Sequence, residues 1–291
     1  MKKNIKWLII FLLPTLALFV LVFVASLVRL VHTSFFDWTL GYDMEFSGFA
    51  NYFQLFKTRD FLAAAKNTLI WVVLQSTVHV FIGLLVALIL FKKQFYWKFI
   101  RTVYMFPNII CSAALGMLYL CILNPEFGGV NRLVRSLGFT DFAQNWFMDF
   151  RTAFLSVTMT WLPYAAVVTI LILAEIAAIE ESVIESAKID GASDLKINLY
   201  IIIPMLRNVL ATCVIMAATS MLQKMDVLYM TTQGGPGNHT LNMAYYIYRT
   251  ALVDNNFGLA NAAGTVMVLF GIVLVMILSR VFRIGTSNIS G

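Results

Sequence analysis

A chain of 291 residues that is 60% hydrophobic and only 12% charged is no ordinary soluble domain, where about a quarter of the residues are charged. Its net charge of +6 comes from Lys and Arg in short groups between apolar runs rather than on one basic face, which excludes nucleic acid as a partner and fits the basic cytoplasmic loops of a membrane protein. The three cysteines, Cys111, Cys121 and Cys213, lie inside apolar runs without C-x-x-C spacing, which excludes a disulfide framework or a zinc site and marks them as packing residues.

A helix rising about 1.5 Å per residue needs about 20 apolar residues to cross a hydrocarbon core of about 30 Å. Six segments qualify, at roughly 7–31, 68–91, 103–123, 153–174, 207–230 and 259–281. The first follows three lysines as a signal peptide would. Its apolar run from Trp7 to Val31 outlasts an h-region of about 7–15 residues, so it reads as a retained transmembrane helix. Lys and Arg are denser in the segments joining these helices on the side of the N-terminus, Lys93 and Arg283 among them, than in the long loops 32–67, 124–152 and 231–258. That bias predicts a multi-pass protein of the cell membrane with both termini cytoplasmic. The chain is read as all-α and polytopic, with an N-terminal transmembrane helix and outer loop (1–66), a helical core (67–282) and a cytoplasmic tail (283–291).

Polar residues at membrane depth are the candidates for a solute path. The second span carries Gln75, Ser76, Thr77 and His79; the fourth carries Thr158, Thr160, Trp161 and Tyr164 around Pro163, an expected kink. In the fifth, Thr219, Gln223 and Asp226 stand at i, i+4 and i+7, a continuous polar stripe on a helix, with Lys224 turned away from it toward Ser220. Gln75, His79, Trp161, Tyr164, Thr219, Gln223 and Asp226 are therefore the expected lining of a path for a solute that needs hydrogen bonds and aromatic faces. The same residues also suit interhelical hydrogen bonding. No P-loop, H-E-x-x-H or G-x-S-x-G motif occurs, so no nucleotide, metal or catalytic site is expected in this chain.

The segment 175–206 is the most charged stretch on the cytoplasmic side. Its first helical pattern runs through Ile179, Val183, Ile184 and Ala187 beside Glu181, Glu185 and Lys188, with Glu185 and Lys188 spaced for a weak pair. Gly191 is placed to end it in the left-handed conformation, and Ser193 or Asp194 to cap a second helix. Leu195, Leu199, Ile202 and Ile203 would form one apolar stripe facing the bundle, closed by Pro204. By pattern alone this is a helix–turn–helix at the membrane surface.

Glu185-Ser186-Ala187, three residues, Gly191, nine residues, then Ile201-x-Ile203-Pro204 resembles the E-A-A-x3-G-x9-I-x-L-P signature of permeases in binding-protein-dependent ABC importers. Ser186 and Ile203 are mild departures from it. "GFANYFQLF" (48–56), "NPEFGGVNRLVRSLG" (124–138) and "LYMTTQGGPGNHT" (228–240) are similar to segments of the first permease of the maltose, multiple-sugar and glycerol-phosphate group. The resemblance implies a type I importer permease fold, with 67–282 as its permease core. It also implies a coupling helix that docks on a separate ATPase through Glu185, Ser186, Ala187, Asp190, Gly191, Ile201 and Pro204.

On this reading ATP and Mg belong to the partner ATPase and this chain carries no cofactor. The implied partners are a second homologous permease, two ATPase copies, an extracytoplasmic solute-binding protein facing Gly234, Gly235 and Pro236, the lipid bilayer, and a carbohydrate substrate. A self-contained secondary transporter or channel, or an ABC importer of a non-sugar solute, is the alternative.

Overall fold

The computed structural model describes residues 2–92, 95 and 97–282. The tail at 283–291, with Arg283, and Lys93 lie outside the described residues. Helices dominate, as the apolar segments predict, but only some of the spans are single rods. α1 (Lys2–Phe19) passes through a π-helical turn, Val20–Val24, into α2 (Ala25–Thr33). After a short hairpin of β1 (Phe36–Asp37) and β2 (Glu45–Phe46) come α3 (Ala50–Lys57) and α4 (Arg59–Leu74). A second π-helical turn, Gln75–His79, joins α4 to α5 (Val80–Phe91), so the second span is one helix of 33 residues.

The third predicted span is broken. α6 (Trp97–Met105) and the 3-10 turn Phe106–Ile109 meet α7 (Ser112–Ile122) at 106°. Pro107 supplies no amide hydrogen there and Cys111 is extended, with ψ 147°, so the helical ladder stops. α8 (Gly129–Ser136) lies in the following loop. The fourth span is two short helices, α9 (Ala153–Met159) and α10 (Ala166–Ala177), separated by turns around Pro163. α11 (Glu181–Ile189), α12 (Asp194–Ile197), a π-helical turn Asn198–Ile202 and α13 (Ile203–Met205) form the charged segment. α14 (Arg207–Leu222), α15 (Asp226–Met230), α16 (Met243–Leu252) and α17 (Phe257–Phe282) complete the described residues. Phe11–Thr33, Arg59–Phe91 and Phe257–Phe282 are long and apolar enough to cross a membrane unbroken.

Two compact units emerge, Met1–Leu62 with Tyr246–Leu269, and Ala63–Tyr245 with Phe270–Gly291. In the first, α3 turns Asn51 and Leu55, one turn apart, inward. The Asn51 amide donates to the carbonyls of Ser34 and Phe36 at 3.0 and 2.8 Å, fixing the strand that leaves α2. Thr33 accepts from Asn261 at 2.8 Å. Gly258 is required at the start of α17, because a Cβ there would lie 2.2 Å from the Phe36 carbonyl oxygen.

In the second unit α5 packs on α10 through small residues. Gly83 faces Val168 so closely that a Cβ would fall 2.6 Å from Val168 Cγ1. Thr169 Oγ1 donates to the Gly83 carbonyl at 3.1 Å. Such close approach drives helix association where lipid and side chain are equally apolar. One buried cluster joins Val80, Ala87, Ile172, Ile176, Ala187 and Ile202, and so ties α5 and α10 to the charged segment. A second, around Trp71, Val157, Trp161, Met221 and Leu228, holds α4, α9, α14 and α15. Trp71 stacks on Phe154 at 4.7 Å and donates to Thr158 Oγ1 at 2.8 Å.

Candidate functional site

The charged segment folds as a helix, a turn and a distorted second helix. α11 buries Ala187 and leaves Glu185, Ser186, Lys188, Ile189, Asp190 and Gly191 exposed. Gly191 adopts φ +79°. Its amide reaches the Lys188 carbonyl at 3.0 Å, and the Ala192 amide reaches back to Ala187 at 2.9 Å. These two bonds are a Schellman stop, which satisfies the last carbonyls of α11 and needs the left-handed residue that glycine supplies. Of the two expected caps Ser193 is the one used, its hydroxyl accepting from the Lys196 amide at 3.5 Å.

Two expectations for this segment need correction. Glu185 and Lys188 form no ion pair among the described residues; the pairing there is between Lys92, beyond α5, and Asp194, at 3.0 Å. That ammonium, by hydrogen bond and by charge, holds the Asp194 carboxyl below its ordinary pKa. Nor do Leu195, Leu199, Ile202 and Ile203 make one inward stripe. Leu195 and Leu199 are exposed, while Ile197 and Ile202 are buried. The π-helical turn is the reason, since its wider winding brings residues five apart onto one face. Ile201 packs partly buried against the core and Pro204 opens α13.

The residue that pattern reading missed is Ile189, 86% exposed among charged neighbours at the last turn of α11. It was hidden because it breaks no periodicity. An isoleucine next to Lys188 and Asp190 looks like any inward-facing residue until Ala187 is seen to take the buried position.

Within the second unit a cavity of about 260 Å³ gathers four of the seven expected path residues, Gln75, His79, Trp161 and Tyr164. Gln75 and His79 sit at the two ends of the π-helical turn and are both buried, four apart on one side of the helix. His79 Nδ1 lies 2.8 Å from the Leu162 carbonyl; a carbonyl only accepts, so Nδ1 carries a proton and donates there. Tyr164 and Tyr119 share a hydroxyl bond of 2.6 Å, and the Asn108 amide donates to the Tyr164 carbonyl at 3.1 Å.

Asn108, Ser220 and Lys224 line the same cavity. The Lys224 ammonium stands 5.4 Å from the centre of the Trp161 ring, within cation–π range. Gln75 Oε1 and Trp161 Nε1 are buried and find no hydrogen-bond partner among the described residues. Such groups are few in folded proteins and each calls for an explanation.

Thr219, Gln223 and Asp226 are not brought to this cavity, and they do not form the expected stripe. α14 stops at Leu222, Gln223 is its C-cap, and Asp226 begins α15. Gln223 and Asp226 are exposed, and Thr219 Oγ1 returns to the Ile215 carbonyl at 2.8 Å. The side that faces the cavity is the Ser220–Lys224 side, which the helical count had placed opposite the stripe.

The loop after α15 is knitted to α4. The Asn67 amide donates to the carbonyls of His239 and Leu241 at 3.0 and 2.9 Å, and Thr232 and Thr240 share a buried hydroxyl bond of 2.6 Å. Gly234, with φ +85°, is buried against Leu241, and Gly235 and Pro236 are half-buried. The outer face of this turn is presented by Gln233, Gly237 and His239 instead.

Residues 79–286 match the family described as "Binding-protein-dependent transport system inner membrane component". The chain is 28% identical over 281 residues to the probable ABC transporter permease protein YurN of Bacillus subtilis, covering 95% of this chain and 96% of that one. It is 29% identical to the sulfoquinovosyl glycerol transport system permease protein SmoG of Agrobacterium fabrum, covering 94% and 90%. Among solved structures it superposes, with a TM-score of 0.85 at 22% identity, on a chain of a bacterial alginate ABC transporter in complex with alginate pentasaccharide-bound periplasmic protein, covering 97% and 95%. At that identity the likeness establishes the fold alone.

Proposed function

Because the chain belongs to the family of binding-protein-dependent transport system inner membrane components, we propose that it is the permease subunit of a carbohydrate importer driven by a separate ATPase. It is a multi-pass, all-α membrane protein with the type I importer permease fold. The observation that carries the coupling proposal is Ile189, left 86% exposed on a helix whose end is fixed by Gly191. An apolar side chain at the centre of a charged, rigidly held helix end has the make-up of an interface anchor. Glu185, Ser186 and Asp190 surround it with polar groups able to pair across an interface.

On this proposal ATP and Mg are held by two ATPase copies, and the α11–α13 end of the bundle is cytoplasmic with both chain termini. A second, homologous permease completes the path, with 67–282 as this chain's permease core. The solute-binding protein meets the turn at Gln233, Gly237 and His239.

The carbohydrate reading draws on the chemistry of the cavity. Trp161 and Tyr164 offer aromatic faces and Asn108 and Lys224 polar groups, a mixture that suits a polyhydroxylated solute. SmoG and the alginate transporter, whose names refer to sugar derivatives, support the same class.

The docking claim is tested by co-purifying the ATPase with the full complex. Ile189→Asp should abolish ATPase association while the chain still inserts and pairs with the second permease. An Ile189→Asp complex that retains its ATPase and full uptake would overturn it. For the cavity, Gln75→Leu and Trp161→Phe should lower uptake with the ATPase still bound, and unchanged uptake in both would remove it from the path.

A further inference from the structure

The second unit holds a larger and almost wholly apolar groove, of about 510 Å³, that the transport reading does not use. One wall is α5, where Phe81, Leu85 and Ile89 follow one another at i, i+4 and i+8 and are all exposed. The opposite wall is Leu195, Leu199 and Ile203 of α12, the π-helical turn and α13. Trp97 and Ile100 of α6 close it on the third side. The wider winding at Asn198–Ile202 created this wall, because Ile197 and Ile202 took the inward positions and left Leu195 and Leu199 outside.

Three features identify the occupant. From Phe81 to Lys92 the α5 wall rises about 16 Å, half of a hydrocarbon core of about 30 Å and hence the depth of one leaflet. The charged and aromatic anchors stand at one end only, where Lys92 and Trp97 line the mouth, the usual make-up of a helix end at the lipid headgroups. The cation left for a headgroup is Lys98. Lys92 is shared with Asp194 at 3.0 Å, and exposed Arg101 opens on a neighbouring cavity that Glu181, Glu185 and Asp194 also line, but exposed Lys98 holds its ammonium 6.0 Å from the Trp97 ring on a helix that carries no acid.

We infer that this groove holds an acyl chain of an anionic phospholipid from the leaflet on the α11 side, with its headgroup against Lys98. In the orientation proposed above that is the cytoplasmic leaflet, and only the leaflet's name rests on that proposal. Since one wall belongs to the segment that follows α11, a bound chain packs α12 and α13 against α5. The bound lipid thereby becomes part of the structure that positions α11.

The test uses the full complex in lipid nanodiscs of mixed phosphatidylglycerol and phosphatidylcholine, with Leu199→p-benzoyl-phenylalanine as a photo-crosslinker. Intact-mass analysis should find a phospholipid adduct enriched in phosphatidylglycerol over its share of the bilayer. Lys98→Gln should lower that enrichment by about fivefold, the equilibrium effect expected of one basic residue near a headgroup. Adding Leu85→Trp, which fills the groove from an exposed position, should sharply reduce the adduct, and an unchanged melting temperature shows that the fold is kept. An adduct on another protein chain, or a phospholipid adduct indifferent to both changes, overturns the inference. Neither outcome bears on ATPase docking, which is read separately at Ile189.

Discussion

Gly191 stands in the left-handed region with open space where a side chain would go. Its constraint within this chain is therefore conformational, and any steric constraint comes from a partner. Gly191→Ala should cost about 1–2 kcal/mol at the end of α11, seen as faster hydrogen exchange of the Gly191 and Ala192 amides. Gly191→Asn, which tolerates that conformation better, should cost less and keep more ATPase coupling. Equal loss of coupling in both would mean that a partner's surface, and not the backbone, excludes the side chain.

Asp194 gives a pH prediction at the same scale. Its folded pKa is depressed by Lys92, so its contribution is full above the unfolded carboxylate value of about 3.9 and is lost as pH falls through the folded value. The melting-temperature gap between the natural chain and Asp194→Asn should therefore shrink on acidification and be unchanged between pH 6 and 8. A gap that stays constant down to pH 3 would contradict the pairing. Gly191 and the Ser193 cap were legible as residues, because a stop and a cap depend on a few adjacent positions. The Lys92–Asp194 pair was not, since its partners are far apart in sequence and meet only through the packing of α12 beside α5.

At the scale of elements, the contact of α5 with α10 depends on Gly83. Gly83→Ala places a methyl 2.6 Å from Val168 Cγ1, and overpacking of this kind costs about 1–3 kcal/mol. The melting temperature of the chain in detergent should fall accordingly, and Val168→Ala should recover part of the loss in the double variant. No recovery would place the strain elsewhere.

The apolar runs predicted where helices lie, because hydropathy reads composition over many residues. They could not predict where helices break or widen. The 106° bend between α6 and α7 needs both Pro107 and an extended Cys111. The end of α14 at Leu222 leaves no breaker in the sequence, and so the stripe of Thr219, Gln223 and Asp226 was drawn on a helix that stops. The π-helical turn at Asn198–Ile202 likewise shifts which residues share a face, and moved Leu195 and Leu199 out of the core.

For the whole molecule, the all-α membrane class and the type I permease fold were readable from composition and from one spaced motif. The cavity was half readable: Gln75, His79, Trp161 and Tyr164 are polar or aromatic residues in apolar runs, whereas Asn108, Ser220 and Lys224 reach it through packing that the sequence does not mark. The central claim is that this permease moves its solute only when an ATPase works through α11. The direct measurement is uptake of labelled carbohydrate into proteoliposomes holding the full complex and its binding protein, with ATP present or absent and with ion gradients intact or collapsed. The account predicts uptake that requires ATP, survives collapse of the gradients and is lost in Ile189→Asp. Uptake that persists without ATP and disappears with the gradients would contradict it.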